Sequence, residues 1–287
     1  MDLMPIVSPA TDRLRFRFGR IADRIVFYGC LFGLLAFFLF PLLWMVLTSL
    51  KTNVQAMAMP PLWWFRPTLQ NYVDVFAKNP FVTYMINSTV VAVVAVGVSM
   101  LVGLPAAYAI ARYKRKSLGL LILAIKILPG IVFLVPLFVI YRQLGWVNTL
   151  GGIAFAHIIV ILPLVIWIMI GFFEDVPREL EEAALIDGCS LTGIFFRIVL
   201  PLSKPAIVAA TILGFIASWN NFIFVLILGG RNTVTLPMAV YSFVSFEDIN
   251  WGGLTAAATI ITLPILALSL VVQRHLAGGL TVGAIKG

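Results

Sequence analysis

Residues 25–50 read IVFYGCLFGLLAFFLFPLLWMVLTSL, 26 consecutive residues without a charge between Arg24 and Lys51. A helix needs about 20 apolar residues to cross the hydrocarbon core of a bilayer, so this stretch is long enough to span. Five arginines precede it, at 13, 15, 17, 20 and 24, as they would precede a signal peptide. A signal sequence, however, has an apolar core of about 7–15 residues ending in small side chains. Here Pro41-Leu42-Leu43-Trp44 prolongs the run, and the segment reads as an uncleaved anchor.

The rest of the chain repeats the pattern. Of its 287 residues 61% are hydrophobic and 11% charged, and mean hydropathy is +1.05; a soluble domain is about 45–50% apolar and about 25% charged. Too little polar surface exists to cover a globule in water. Further charge-free stretches run over 81–111, 143–173, 205–230 and 249–273. Residues 117–141 are apolar except for Lys126 and are interrupted by Pro129-Gly130 and Pro136, which read as kinks tolerated inside a packed bundle. The fold class is therefore all-α and polytopic, with six spans. Residues 1–24 form a cytoplasmic tail, and 25–287 the membrane domain.

Charge position tests this topology. With the arginine-rich tail inside, fourteen of the twenty Lys and Arg fall in cytoplasmic segments and five outside, with Lys126 in the membrane. That is the bias of the positive-inside rule. The net charge of +8 thus belongs to topology and lipid headgroups, and nucleic acid is not an expected partner. Both termini are expected in the cytoplasm. Cys30 and Cys189 form no disulfide framework, and no Cys/His group has metal-ligand spacing. Outside, Pro60-Pro61 and Trp63-Trp64-Phe65 in the segment 51–80 suggest aromatic rings at headgroup level or a short lateral helix.

The segment 174–204 carries the functional information. It holds six of the twelve acidic residues: Glu174, Asp175, Glu179, Glu181, Glu182 and Asp187. Asp175 and Pro177 give a helix-start signal and Gly188 a stop. Within that helix Leu180, Ala183 and Ala184 share a narrow methyl-lined face, with Glu179 and Glu182 on a neighbouring one. Ser190 is placed to cap a second helix over 191–200, stopped by Pro201. A helix lying on anionic lipid should present Lys and Arg; this one presents acids, which fits a protein partner.

Glu182-Ala183-Ala184, Gly188, Ile198 and Leu200-Pro201, at these spacings, resemble the EAA loop of ATP-binding-cassette (ABC) importer permeases. The resemblance extends over nearly the whole chain to the sugar-importer branch, the maltose-type second permease. It is carried by Asn87-Ser88, by the run from Ala107-Tyr108 to Arg112, by Ala184 to Gly188, by Ser218-Trp219-Asn220 and by Gly283 to Gly287. It implies a type I importer transmembrane fold in a prokaryotic inner membrane. The implied partners are a second permease, two cytoplasmic ATPase subunits and an external solute-binding protein. The resemblance assigns contact with the ATPase to Glu179, Glu182, Ala183, Ala184, Asp187, Gly188, Ile198, Leu200 and Pro201. Within that set Glu182 would be the acidic contact, Ala183 the close-packing residue and Gly188 the turn. ATP and Mg would sit on the partner ATPases, with no cofactor or metal on this chain. In agreement, the sequence has no GxxxxGK[ST] phosphate loop, so the chain is not itself expected to be an enzyme.

Several polar residues inside spans are candidates for a substrate path. An intramembrane cation such as Lys126 is a functional candidate by default, against a lysine that reaches back to the interface. Trp219, Asn220 and Asn221, placed mid-way along the fifth span, and Asn87 could line a sugar route through stacking and amide hydrogen bonds, or bridge helices. His157 reads as a helix-bridging donor. A stand-alone secondary transporter would need coupling acids near the midplane, and none of the twelve acids lies in a span. An ABC permease for a non-sugar solute remains open at this point.

Overall fold

The structure, a computed structural model, describes the backbone of residues 9–244 and 249–283 and the side chains of 24–115, 117–244 and 249–273. The cytoplasmic placement of residues 1–8 and the terminal signature at 284–287 lie outside the described residues. Among the described residues, four helices are long and apolar enough to cross a membrane without interruption. They belong to α1 (Pro9–Ser49), α4 (Phe81–Arg112), α7 (Leu150–Asp175) and α14 (Trp251–Gly283). Between α1 and α4 lie two short helices, α2 (Asn53–Ala56) and α3 (Gln70–Lys78). The count becomes six when each of two bent helix pairs is taken as one span.

The first bent pair corrects the reading of the third span. Its two halves, α5 (Lys116–Ile127) and α6 (Ile131–Leu144), meet at 88°, a full break where a kink was expected. Pro129 disfavours helical backbone at the residue before it, and Leu128 is extended (φ −71°, ψ 127°). The second pair joins the helical run Leu191–Leu202 to α11 (Lys204–Trp219) at 77°. Here too the sequence reading needs correction. The fifth span does not run through to Gly230: α11 ends at Trp219, and α12 (Ile223–Leu228) restarts after Asn220 and Asn221. Asn221 Oδ1 accepts the Phe224 N–H at 3.3 Å, a local competition with helical bonding typical of Asn.

α4 and α7 pack against each other along their length, and α11 lies against both and against α14. Their contact is made close by small residues. Ala92, Ala95, Ala107, Ala209 and Ala210 are fully or almost fully buried, and a Cβ on Gly103 would approach Val165 Cγ1 to 2.9 Å. Inside a membrane, where lipid is as apolar as Leu, such close packing holds helices together. α1 leans on α14 and otherwise turns Phe27, Phe32, Phe37 and Phe38 outward.

Polar bonds fix the two ends of the bundle. At the outer end Asn71 Nδ2 donates to the Ser49 and Lys51 carbonyls at 2.8 and 2.7 Å. Lys51 is buried there, donating to the Leu62 carbonyl at 2.7 Å beneath the rings of Trp44 and Phe65. At the opposite end the loops after α4 and α7 meet, since Arg178 donates to the Arg112 carbonyl at 3.0 Å. Trp63 and Trp64 are exposed.

Candidate functional site: the acidic hairpin

The hairpin follows α7, whose last residue is Asp175. Asp175 therefore ends one helix rather than starting the next, and α8 (Arg178–Ile186) begins after Pro177. Gly188 reverses the chain at φ +83°, a conformation that Gly adopts without a Cβ clash. The Cys189 N–H then reaches back to the Ala184 carbonyl at 2.9 Å, satisfying one of the last carbonyls of α8. Ser190 Oγ accepts the Gly193 N–H at 3.1 Å and caps α9 (Leu191–Ile194). Pro201 does not stop the return helix. The run continues through a π turn over Phe195–Val199 into α10 (Leu200–Leu202) and breaks at Ser203. A proline inside a helix clashes with the carbonyl four residues before it, and a π turn just ahead widens the helix there.

The inward face of α8 consists of Glu181 and Ala184, both buried, whereas Leu180 and Ala183 are exposed. This corrects the expected methyl face. Glu181 is the acid that sequence reasoning passed over. Its Oε2 accepts the Tyr108 hydroxyl at 2.7 Å, and its Oε1 forms an ion pair with the Arg112 guanidinium. The Arg112 guanidinium also donates to the Val176 carbonyl at 3.3 Å and lies 5.5 Å from the Tyr108 ring centroid. The Tyr108 ring in turn contacts Phe195 of the return helix (5.1 Å) and Phe173 of α7 (5.8 Å). Tyr108 and Arg112, one turn apart on α4, thereby gather both arms of the hairpin. An i, i+3 pairing of Glu181 with Ala184, together with an arginine at the inner end of the second span, was the available signal.

Beside this cluster the hairpin stands off α4 across a cavity of about 700 Å³ that Leu101, Leu104, Leu185 and Phe196 help to line. The outward face is acidic: Glu174, Asp175, Glu179, Glu182 and Asp187 are all exposed. Of the residues assigned to the ATPase, Glu179, Glu182, Ala183, Asp187, Gly188 and Pro201 lie on this open surface. Ala184 is buried, and Ile198 and Leu200 pack against the main core.

The candidates for a substrate path do not converge on one place. Asn87 is buried and donates to the Asn232 and Val234 carbonyls at 3.2 and 2.9 Å, while Ser88 Oγ accepts the Leu236 N–H at 2.8 Å. The pair thus anchors the loop before α13 (Leu236–Tyr241) to α4. Trp219 is buried, stacks on Phe215 and donates to the Ile261 carbonyl at 3.2 Å. Asn220 is exposed at the end of α11. Lys126 is exposed in the last turn of α5, next to the break, where the negative helix end favours a cation. His157 is buried and bridges α7 to α11 through Ser218 Oγ at 2.7 Å.

Residues 99–282 match the family described as "Binding-protein-dependent transport system inner membrane component". The chain is 35% identical to the sulfoquinovosyl glycerol transport system permease protein SmoH of Agrobacterium fabrum, covering 87% of this chain and 89% of that protein. It is 34% identical to the trehalose/maltose transport system permease protein MalG of Thermococcus litoralis, covering 87% and 92%. The fold is similar to a chain in the crystal structure of a bacterial ABC transporter involved in the import of the acidic polysaccharide alginate. That similarity has a TM-score of 0.70 at 23% identity, over 94% of this chain and 99% of the other.

Proposed function

Because the chain belongs to the family of binding-protein-dependent transport system inner membrane components, we propose that it is one of two permease subunits of an ATP-driven carbohydrate importer, engaging a pair of cytoplasmic ATPases through residues 174–204. The observation that carries the proposal is the two-sided hairpin. Its inner face is bonded through Glu181 to the end of α4, while Glu179, Glu182 and Asp187 are exposed to solvent. Acids on an exposed helix would be repelled by an anionic inner leaflet and attracted by a basic cleft on a protein.

In this reading the division of labour follows burial. Glu182 and Ala183 meet the ATPase; Ala184, Ile198 and Leu200 hold the hairpin against the bundle; Gly188 and Pro201 set its shape. ATP and Mg sit on the ATPase pair, and the external binding protein delivers the sugar to a path shared with the second permease. Lys126 fits that path better than lipid. An exposed ammonium at a break within a span is costly against hydrocarbon and inexpensive against water or a partner subunit. Asn220 and Asn221, at the break between α11 and α12, are the other polar groups available to it.

The test is a mild-detergent pull-down of tagged protein from its native membrane. Wild type is expected to bring down an ATPase and a second permease, and Glu182→Lys to keep the permease but lose the ATPase. Wild type eluting without either chain, and still transporting, would overturn the proposal.

A further inference from the structure

We infer that Tyr108, Arg112 and Glu181 form a latch that makes the inner end of α4 and the cytoplasmic hairpin move as one body. The inference rests on the hairpin being the coupling element proposed above and goes beyond it by naming the residues that carry the motion into the second span.

The geometry supports a latch in three ways. First, α8 does not pack flatly on α4: the cavity of about 700 Å³ lies between them, so displacement of α8 would not be passed on by close packing alone. Second, the bonds that cross this gap start from two α4 residues one turn apart and reach three separate parts of the loop. Tyr108 bonds Glu181 and contacts Phe195, Arg112 pairs with Glu181 and donates to Val176, and Arg178 donates back to the Arg112 carbonyl. Third, the ion pair is shielded, each side chain being only 11% exposed, so water and salt screen it less than a surface pair. Glu181 is buried against α4, whereas Glu179 and Glu182 are exposed.

Glu181 and its two partners are thus positioning residues, distinct from the acids that would meet the ATPase. With the latch intact, a push on α8 tilts α4, and α7 follows because α4 packs along it. With the latch broken, α8 can move into the cavity while α4 stays in place.

The experiment uses the intact complex in lipid nanodiscs, with Cys30→Ser and Cys189→Ser and spin labels at Val102→Cys on α4 and Ile186→Cys on α8, neither of which lines the cavity. Both labelled positions are exposed. Inter-label distances are compared without nucleotide and with Mg-ATP trapped by vanadate. In wild type the distance is expected to stay constant between the two states. In Glu181→Gln and in Tyr108→Phe it should shift by more than about 2 Å, the scale of a helix displacement, with the ATPase still co-eluting. The swap Arg112→Glu with Glu181→Arg should restore a constant distance. A wild-type distance that changes as much as the variant's would overturn the latch, and so would a Glu181→Gln complex that loses its ATPase, which would make Glu181 a docking residue. A wild-type preparation that never holds an ATPase would instead overturn the coupling reading on which the latch depends.

Discussion

Gly188 shows how one backbone angle shapes the functional surface. Its φ of +83° places it where a residue with a Cβ is strained, although open space surrounds it. The penalty for an L-residue there is about 1–2 kcal/mol, so Gly188→Ala should loosen the hairpin turn without any clash. Faster hydrogen exchange at the Cys189 amide, which bonds the Ala184 carbonyl, is the measurement that would record it; unchanged exchange would contradict it. Asn87 is the residue where burial redirects the argument. The sequence offers it to the substrate path because an amide inside a span is unusual. In the fold its Nδ2 holds two loop carbonyls, and leaving such buried acceptors unpaired costs about 1–3 kcal/mol each. Asn87→Ala should therefore lower the melting temperature of the solubilised protein by several degrees, while a change in uptake affinity with unaltered melting would return Asn87 to the path.

At the scale of the element, the spans were legible because each, but for Lys126 in the third, is charge-free over a length fixed by the bilayer, and the breaks within them were less so. Pro129-Gly130 is compatible with either a kinked helix or a right-angle turn, and which one forms depends on packing that no local pattern records. The same holds for Asn220-Asn221, where α11 ends and Asn221 Oδ1 accepts the Phe224 N–H at the start of α12. Ser190 and Gly188, whose roles are local, were readable as a cap and a stop. Glu181 was not separable from its acidic neighbours, because its inward orientation depends on Tyr108 and Arg112, more than sixty residues earlier. The break in the third span carries its own prediction. Lys126 ends α5 beside it, and if it faces the translocation path, Lys126→Met should reduce uptake with assembly intact, whereas Lys126→Arg should retain most of it. Uptake unchanged in Lys126→Met would assign Lys126 to the interface.

For the whole molecule, the all-α bundle is the type I transmembrane domain of an ABC importer permease, a multi-pass inner-membrane protein. Its two ends have different work. One end is closed by the bonds of buried Lys51 and of Asn71 around the loops, and the other carries an acidic hairpin tied to α4. On the reading proposed above, ATP is used by partner ATPase subunits rather than by this chain. Removing the buried partner of Arg112 should be more disruptive than removing an exposed acid. Breaking a shielded ion pair from one side costs about 3–5 kcal/mol, whereas exposed pairs contribute about 0–1 kcal/mol. Glu181→Ala is accordingly expected to lower the melting temperature of the solubilised chain more than Glu179→Ala, and equal shifts would contradict the shielding of the Glu181 pair.

The most direct test of the central claim is uptake into proteoliposomes holding the purified complex, with a radiolabelled sugar identified as the ligand of the co-purifying binding protein. The account predicts uptake only when Mg-ATP is supplied on the hairpin side and the loaded binding protein on the other, and its loss in Glu182→Lys. Uptake driven by an ion gradient in the absence of ATP, and insensitive to Glu182→Lys, would contradict it.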